Sequence, residues 1–163
     1  MRSAVSASSG QPALSTQNIA KNNRLWFVAI AILALAGMLV SAVSLQRHYA
    51  KSATAFCEFG ERFNCDIVNR SEYSSLMGIP VAGIGIVGYG VLFALATIYR
   101  AHCETPLRLL VAALAGLAFA LYLTYVEGYV LETWCILCLS SLALIVMITV
   151  LAGVLKVRTG LDR

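Results

Sequence analysis

The sequence predicts an all-α membrane protein, a bundle of four transmembrane helices with an extracytoplasmic loop or short helix between the first two. Composition is the first reason. The 163 residues are 60% hydrophobic and 12% charged, whereas a soluble domain is about 45–50% apolar and about 25% charged. Four uncharged runs are the second reason, because each is long enough to cross a hydrocarbon layer of about 30 Å. An ordinary soluble enzyme, a disordered chain and a nucleic-acid-binding module are excluded.

The four runs have lengths of 21, 24, 18 and 23 residues. They are residues 25–45, 76–99, 109–126 and 133–155. Because the bilayer core offers backbone groups no water, each run is expected to be helical. We therefore predict a membrane domain over residues 25–155, preceded by a flexible cytoplasmic tail at residues 1–24 and followed by a cytoplasmic tail at residues 156–163.

The charged residues are divided unequally between the two ends of this bundle. Eight of the 12 basic residues precede the first run, flank the second connection or follow the fourth run. Six of the 8 acidic residues lie on the other side, including Glu127 and Glu132 in the third connection. Basic residues near span ends remain cytoplasmic, so both termini are predicted to be cytoplasmic. No ionisable residue is expected inside a span.

Four of the five cysteines are predicted to lie on the extracytoplasmic side. Cys57 and Cys65 are in the first loop, and Cys135 and Cys138 form a Cys-x-x-Cys motif where the fourth span begins. Thr133 is the expected N-cap, which would put Cys135 in the first helical turn. Residues three apart share a helix face, and the positive end of the helix dipole favours the reactive thiolate. The pattern indicates thiol–disulfide exchange.

Other interpretations of these cysteines remain open. A Cys57–Cys65 bridge would close the loop and contribute about 2.5 kcal/mol on the chain-entropy model, and a cysteine in a membrane helix is often a small apolar filler. The protein would then be a non-catalytic scaffold or channel with structural disulfides. A zinc site would use all four cysteines, but zinc ribbons normally have two close Cys-x-x-Cys knuckles, so no metal is expected.

The segments around the four cysteines resemble the vitamin K epoxide reductase family. The matching segments, in the family's order, are Phe56-Cys57, Asn64-Cys65-Asp66-Ile67-Val68-Asn69-Arg70-Ser71-Glu72-Tyr73-Ser74, Gly78-Ile79-Pro80-Val81 and Cys135-Ile136-Leu137-Cys138. The resemblance covers about residues 25–155. It implies a quinone-dependent disulfide oxidoreductase, built as a four-helix bundle around a quinone pocket.

The resemblance also implies a role for each cysteine. Cys135 and Cys138 would form the quinone-facing redox centre, with Cys138 nearer the ring. Cys65 would pass electrons to Cys135, and Cys57 would meet the outside thiol substrate. The implied donor is a reduced thioredoxin-like protein and the acceptor is ubiquinone or menaquinone. Bacterial members often carry a fused thioredoxin-like domain, for which this chain has no room, so the partner is expected in trans.

Four more positions are implied as quinone-pocket residues. Ser71 matches the family's loop serine near the pocket, and Tyr73 is either a loop anchor or a quinone contact. Val81 and Leu142 occupy, by motif spacing, the positions where vertebrate members have an asparagine and a tyrosine. Because both hydrogen-bonding groups are replaced, a plain quinone is favoured over the epoxide.

The style of the loop favours the bacterial cytoplasmic (inner) membrane, with an extracytoplasmic active site. In a eukaryote the corresponding location would be the endoplasmic reticulum membrane. Bacterial disulfide-bond-forming membrane protein B also has four spans and two extracytoplasmic cysteine pairs. Its Cys-x-x-Cys lies in the first loop, however, which is the reverse of the order in this sequence.

Overall fold

The computed structural model describes residues 11–49, 68, 74–76, 78–99 and 104–161. Most of this part of the chain is in four helices, α1 (Gln11–Tyr49), α2 (Val81–Thr97), α3 (Thr105–Tyr129) and α4 (Ile136–Leu161). Three of them contain segments long and apolar enough to cross a membrane, namely Arg24–Tyr49, Thr105–Tyr129 and Ile136–Gly160. The remaining helix, α2, is apolar but shorter. The predicted fold class, a four-helix membrane bundle, is confirmed.

The helices are arranged as a ring. α1 packs against α2 and α4, α3 packs against α4, and the contact between α2 and α3 that closes the ring is the least extensive. At one end of the bundle, buried side chains from all four helices fill the interior, and we call this end the packed end. Its residues are Phe27, Ile30, Ala31, Ala34, Leu92, Ala96, Leu109, Ala113, Ile148, Ala152 and Leu155.

The helix α1 begins 14 residues before the first predicted span and includes residues 11–24 of the expected tail. Pro12 is in its first turn, where a proline is tolerated because the missing N–H would have no helical partner. The sequence from there to Tyr49 contains no further proline. The lack of a helix-breaking residue explains why the helix is longer than its apolar run.

The start of the predicted second span is not helical. The strands β1 (Ser75–Leu76) and β2 (Ile79–Pro80) pair antiparallel in a small hairpin, with Ser75 opposite Pro80. The hairpin turns at Gly78, whose φ of 83° is a conformation that favours glycine. Hydropathy counts apolar residues without regard to turn residues, so the predicted second span includes residues 76–80.

The connection between α3 and α4 also differs from the prediction. The N–H groups of Val130 and Leu131 both donate to the Val126 carbonyl, and Glu132 has a positive φ of 50°. α4 begins at Ile136, and the Cys135 carbonyl accepts the hydrogen bond from Leu139 N–H at 3.0 Å. Cys135 therefore precedes the helix, and the prediction that Thr133 caps it is wrong.

Candidate active site

A cavity of about 440 Å³ lies between the four helices at the opposite end of the bundle. Small residues of α2 and α3 form much of its wall, namely Ala82, Gly85, Gly88, Ala112, Ala115, Gly116 and Ala120. These side chains are too short to fill the space between two helices that make little contact, which is why a cavity remains. The volume falls within the range of about 300–1,000 Å³ that is usual for small-molecule pockets.

One face of α4 lines this cavity. Cys138, Ser141 and Ile145 are lining residues, and their spacing of three and four places them on the same side of a helix. Cys138 is half-buried and puts a thiol in the cavity wall. Leu142, the residue after Ser141, does not lie on this face. It packs against the buried residues of the packed end instead. We call this half of the bundle the thiol end.

Cys135 is fully buried next to the connection between α1 and α2. It forms a small apolar cluster with Val68, against which Leu131, Leu137 and Cys138 are packed. Cys135 and Cys138 are both thiols in the structure. Val68 is three residues after Cys65 in the sequence. The first loop therefore contacts the Cys-x-x-Cys motif.

Glu127 holds the Cys-x-x-Cys segment against the end of α3. Its backbone carbonyl accepts the Thr133 N–H and its Oε2 accepts the Cys135 N–H, each at 3.2 Å. The residue is 2% exposed and lines the cavity. The expectation that no ionisable residue lies inside a span is wrong, because α3 continues to Tyr129.

The sequence carries a signal for Glu127 that the hydropathy criterion misses. Five residues of α3 recur along the cavity wall at intervals of three or four, namely Ala112, Gly116, Ala120, Leu123 and Glu127. Such an interval is the helical period, and no proline interrupts it. A search for apolar residues ends at Val126, whereas the helical period continues to the acid.

Polar groups from α1 form another part of the cavity wall. Ser41, Ser44 and His48 are lining residues at helical spacing. His48 Nδ1 lies 3.5 Å from the Ser74 hydroxyl, which belongs to the connection before the hairpin. Sequence reasoning did not select these residues, because serine and histidine near the end of an apolar run are also common at span boundaries. They supply hydrogen-bonding groups to a wall that is otherwise mostly apolar.

Tyr89 joins three helices where the cavity meets the packed end. Its hydroxyl donates to the Ser141 carbonyl at 2.8 Å and lies 2.9 Å from the Ser141 hydroxyl. Its ring passes directly over Gly37, where an added Cβ would come within 2.3 Å of a ring carbon. Only glycine leaves room for this ring, so Gly37 fixes how closely α1 and α2 approach each other.

The structure describes four of the eight predicted site residues. Cys138 and Val81 line the cavity, Cys135 adjoins it, and Leu142 does not line it. The other four lie outside the described residues and are Cys57, Cys65, Ser71 and Tyr73.

Metal binding can be examined for part of the chain. Among the residues with described positions, no three His, Cys, Asp or Glu side chains are grouped so that they could hold an ion. A zinc site shared with Cys57 and Cys65 would involve residues outside that part, so it is not tested.

The residues at the thiol end fit a quinone. The cavity offers a mostly apolar wall for a flat ring, and Ser44 and His48 are hydrogen-bonding side chains for ring oxygens. The Cys138 thiol in the wall provides a group that can exchange electrons with a ring placed there. These are the features of an apolar ligand pocket with a few convergent polar groups.

The fold and the cavity define a class of protein, a four-helix membrane bundle with a dithiol motif at an apolar ligand site. A comparison with family models matches residues 28–153 to the Vitamin K epoxide reductase family. The match covers most of the chain, so the protein belongs to this family, and the predicted membership is confirmed. The family consists of membrane thiol oxidoreductases that use a quinone and work with thioredoxin-like redox partners in general.

Proposed function

We propose that the protein is a thiol:quinone oxidoreductase that takes electrons from a reduced thioredoxin-like partner and so supports disulfide bond formation. The observation that carries this proposal is the position of Cys138 in the wall of an apolar cavity, with Cys135 buried between it and the first loop. A quinone bound in the cavity, ubiquinone or menaquinone, supplies the acceptor for two electrons and two protons.

The proposed relay uses two dithiol pairs in sequence. A partner thiolate attacks the Cys57–Cys65 disulfide, and resolution by the partner's second thiol leaves both loop cysteines reduced. The Cys65 thiolate then attacks Cys135 of the Cys135–Cys138 disulfide. Cys57 resolves the mixed disulfide, leaving the motif as a dithiol that faces the acceptor. The contact of Val68 with Cys135 supports this step, since three residues of extended chain cover at most about 11 Å.

The other residues of the thiol end are assigned to binding. Val81 and the small residues of α2 and α3 form walls for the ring, and His48 with Ser44 orients the ring oxygens. Ser71 and Tyr73 are proposed to approach the pocket from the loop. Leu142 supports the lining face of α4 from behind rather than contacting the ligand.

The proposed location is the bacterial cytoplasmic membrane, with both termini in the cytoplasm. The thiol end would then face the extracytoplasmic side, where disulfides persist. A thioredoxin-like protein on that side could reach Cys57 without crossing the bilayer.

A turnover assay tests the proposed function. Purified protein in detergent is mixed with a reduced thioredoxin-like protein and a short-chain quinone, and quinone absorbance is followed. We expect turnover with the native chain and its loss in Cys138→Ala, with Cys103→Ala as the matched control that keeps turnover. A scaffold or channel with structural disulfides would leave quinone absorbance unchanged in all three.

Trapping tests the order of the relay. Both variants are treated with a mild thiol oxidant such as diamide, which takes up the two electrons of each new bond. Cys65→Ser should then form a mixed disulfide between Cys57 and the partner's thiol, and Cys57→Ser/Cys138→Ser should form a Cys65–Cys135 bridge. Peptide mapping under non-reducing conditions identifies both. If the second variant contains no such bridge, the transfer from loop to motif does not take this route.

A further inference from the structure

A buried carboxylate lies in the cavity wall together with the Cys138 thiol, and the electron relay gives it no task. Glu127 is 2% exposed in the last turn of an apolar helix. Ionisable side chains at such positions in membrane helices are energetically costly and mark functional sites. Glu132 lies at the same end of the molecule but is exposed, so it is the matched control for the experiment below.

The contacts of Glu127 are with the Cys-x-x-Cys motif. Oε2 accepts the backbone N–H of Cys135 at 3.2 Å. Glu127 and Cys138 also line the same cavity. The carboxylate is therefore hydrogen-bonded to the motif and shares a cavity wall with the Cys138 thiol, and a carboxylate so placed is a candidate general base.

The reaction of the motif with a quinone needs such a group. A dithiol and a quinone become a disulfide and a quinol, so two electrons and two protons move together. The thiolate is the form of cysteine that reacts, and the Cys138 thiol must first lose its proton. The mostly apolar walls of the cavity give few acceptors for that proton, and the Glu127 carboxylate is one of them.

We propose that Glu127 is the general acid–base of the site, which takes the proton of Cys138 and returns it to an oxygen of the bound quinone. This inference rests on the proposed function. In the balanced step the Cys135–Cys138 disulfide forms and the two sulfurs give up two electrons. Glu127 delivers one proton to the acceptor, the Cys135 thiol supplies the second, and the carboxylate is regenerated.

Other titratable groups face the same cavity from the surrounding helices. His48 lines it from α1 and Tyr89 from α2, and the Tyr89 hydroxyl is hydrogen-bonded to Ser141. Cys135 adjoins Glu127 from the segment before α4. His48 is the competing candidate for the base, so the test includes a His48→Gln variant.

The test measures the reactivity of Cys138 in a full-length chain whose other four cysteines are serine. The rate of alkylation by iodoacetamide is recorded from pH 6 to 8 without any quinone. When thiol and carboxylate share one proton, the thiolate fraction does not change with pH while the pair carries one charge. We therefore expect a rate that is roughly constant with pH when Glu127 is present.

Glu127→Gln keeps an oxygen for the Cys135 N–H but cannot take a proton. We expect its alkylation rate to rise about tenfold per pH unit, as for an isolated thiol below its pKa. Glu132→Gln is the matched control and should keep the flat profile, as should His48→Gln. A purely structural role for Glu127 would leave the slope unchanged. A flat profile in Glu127→Gln, or its loss in His48→Gln alone, would overturn the assignment.

Glu127→Asp keeps the inference testable if the glutamine variant does not fold. It retains the carboxyl group on a shorter side chain, so the flat profile should persist at a lower rate. A tenfold rise per pH unit in this variant would contradict the proposal.

Quinone turnover separates the two proposals. In the chain with all native cysteines, Glu127→Gln should lower turnover by about 10²–10⁴-fold, the usual contribution of general acid–base catalysis. Native turnover in Glu127→Gln would refute the acid–base role and leave the proposed function intact. Absence of turnover in the native chain, with the flat alkylation profile, would refute the proposed function but not proton sharing.

Discussion

The two ends of the bundle are built from the same four helices and largely the same apolar residue types, yet one is filled and the other is hollow. At the packed end, bulky residues such as Ile30, Leu109 and Ile148 lie among alanines and are fully buried. At the thiol end, small residues line both α2 and α3, and the least extensive helix contact leaves the cavity open. We infer that stability depends mainly on the packed end and, under the proposed function, quinone binding on the thiol end, which mutations should separate.

The largest expected effect is at the packed end. Ile148→Ala removes a side chain that is 0% exposed, and a buried Ile→Ala change costs about 2–5 kcal/mol when the cavity does not collapse. Thermal unfolding in detergent measures the loss. Val150→Ala, on the exposed face of the same helix, is the control and should be nearly neutral. Equal losses in both variants would mean that the packed end is not the main source of stability.

A smaller loss is expected where the two halves meet. Gly37→Ala places a methyl group 2.3 Å from the Tyr89 ring, and such overpacking typically costs about 1–3 kcal/mol. Gly153→Ala is the matched control because a Cβ there meets nothing within 4 Å. Unfolding temperatures of the two variants should differ clearly. Identical values would show that the ring moves aside without penalty.

The thiol end should tolerate added volume but lose ligand affinity. Ala112→Leu extends a side chain that lines the cavity, so we expect KM for the quinone to rise about tenfold, equivalent to about 1.4 kcal/mol. The unfolding temperature should stay close to that of the native protein. Ala118→Leu, at an exposed position of the same helix, should change neither quantity. An unchanged KM in Ala112→Leu would place the quinone elsewhere.

The smallest effect concerns the hydrogen bond that spans the boundary. Tyr89→Phe removes the hydroxyl that donates to the Ser141 carbonyl. Side-chain hydrogen bonds in membrane proteins average about 0.6 kcal/mol, so the unfolding temperature should fall only slightly. Tyr122→Phe is the exposed control. A loss as large as that of Ile148→Ala would make this hydrogen bond a principal support of the fold.

The fold class could be predicted from the sequence because length and hydropathy determine how many helices can cross a bilayer. The positions at which the helices begin and end could not be predicted in this way. Residues 76–80 are apolar, but Gly78 makes a turn and Pro80 ends the strand that follows it. α3 and α1 continue beyond their apolar runs because nothing in the sequence stops them. Hydropathy measures preference for the bilayer, whereas turn residues and proline decide where a helix begins.

The candidate site was predictable in its sulfurs and not in its carboxylate. The Cys-x-x-Cys spacing alone draws attention to Cys135 and Cys138, but an acid eight residues earlier looks like the end of a span. Only the folded connection brings Glu127 to the motif, through the reversal at Glu132. The face of α4 that lines the cavity could not be predicted either. Ser141 lines the cavity, whereas Leu142, the next residue, does not.

The shortness of α2 has a consequence for the lipid around the protein. Its 17 residues extend over about 25 Å, less than the hydrocarbon layer of about 30 Å, while the neighbouring apolar segment of α1 has 26 residues. A bilayer adapts to a short hydrophobic wall by local thinning. Acyl chains beside α2 should therefore be compressed near the cavity, so that bilayer thickness itself becomes a variable controlling how a lipid-soluble molecule enters.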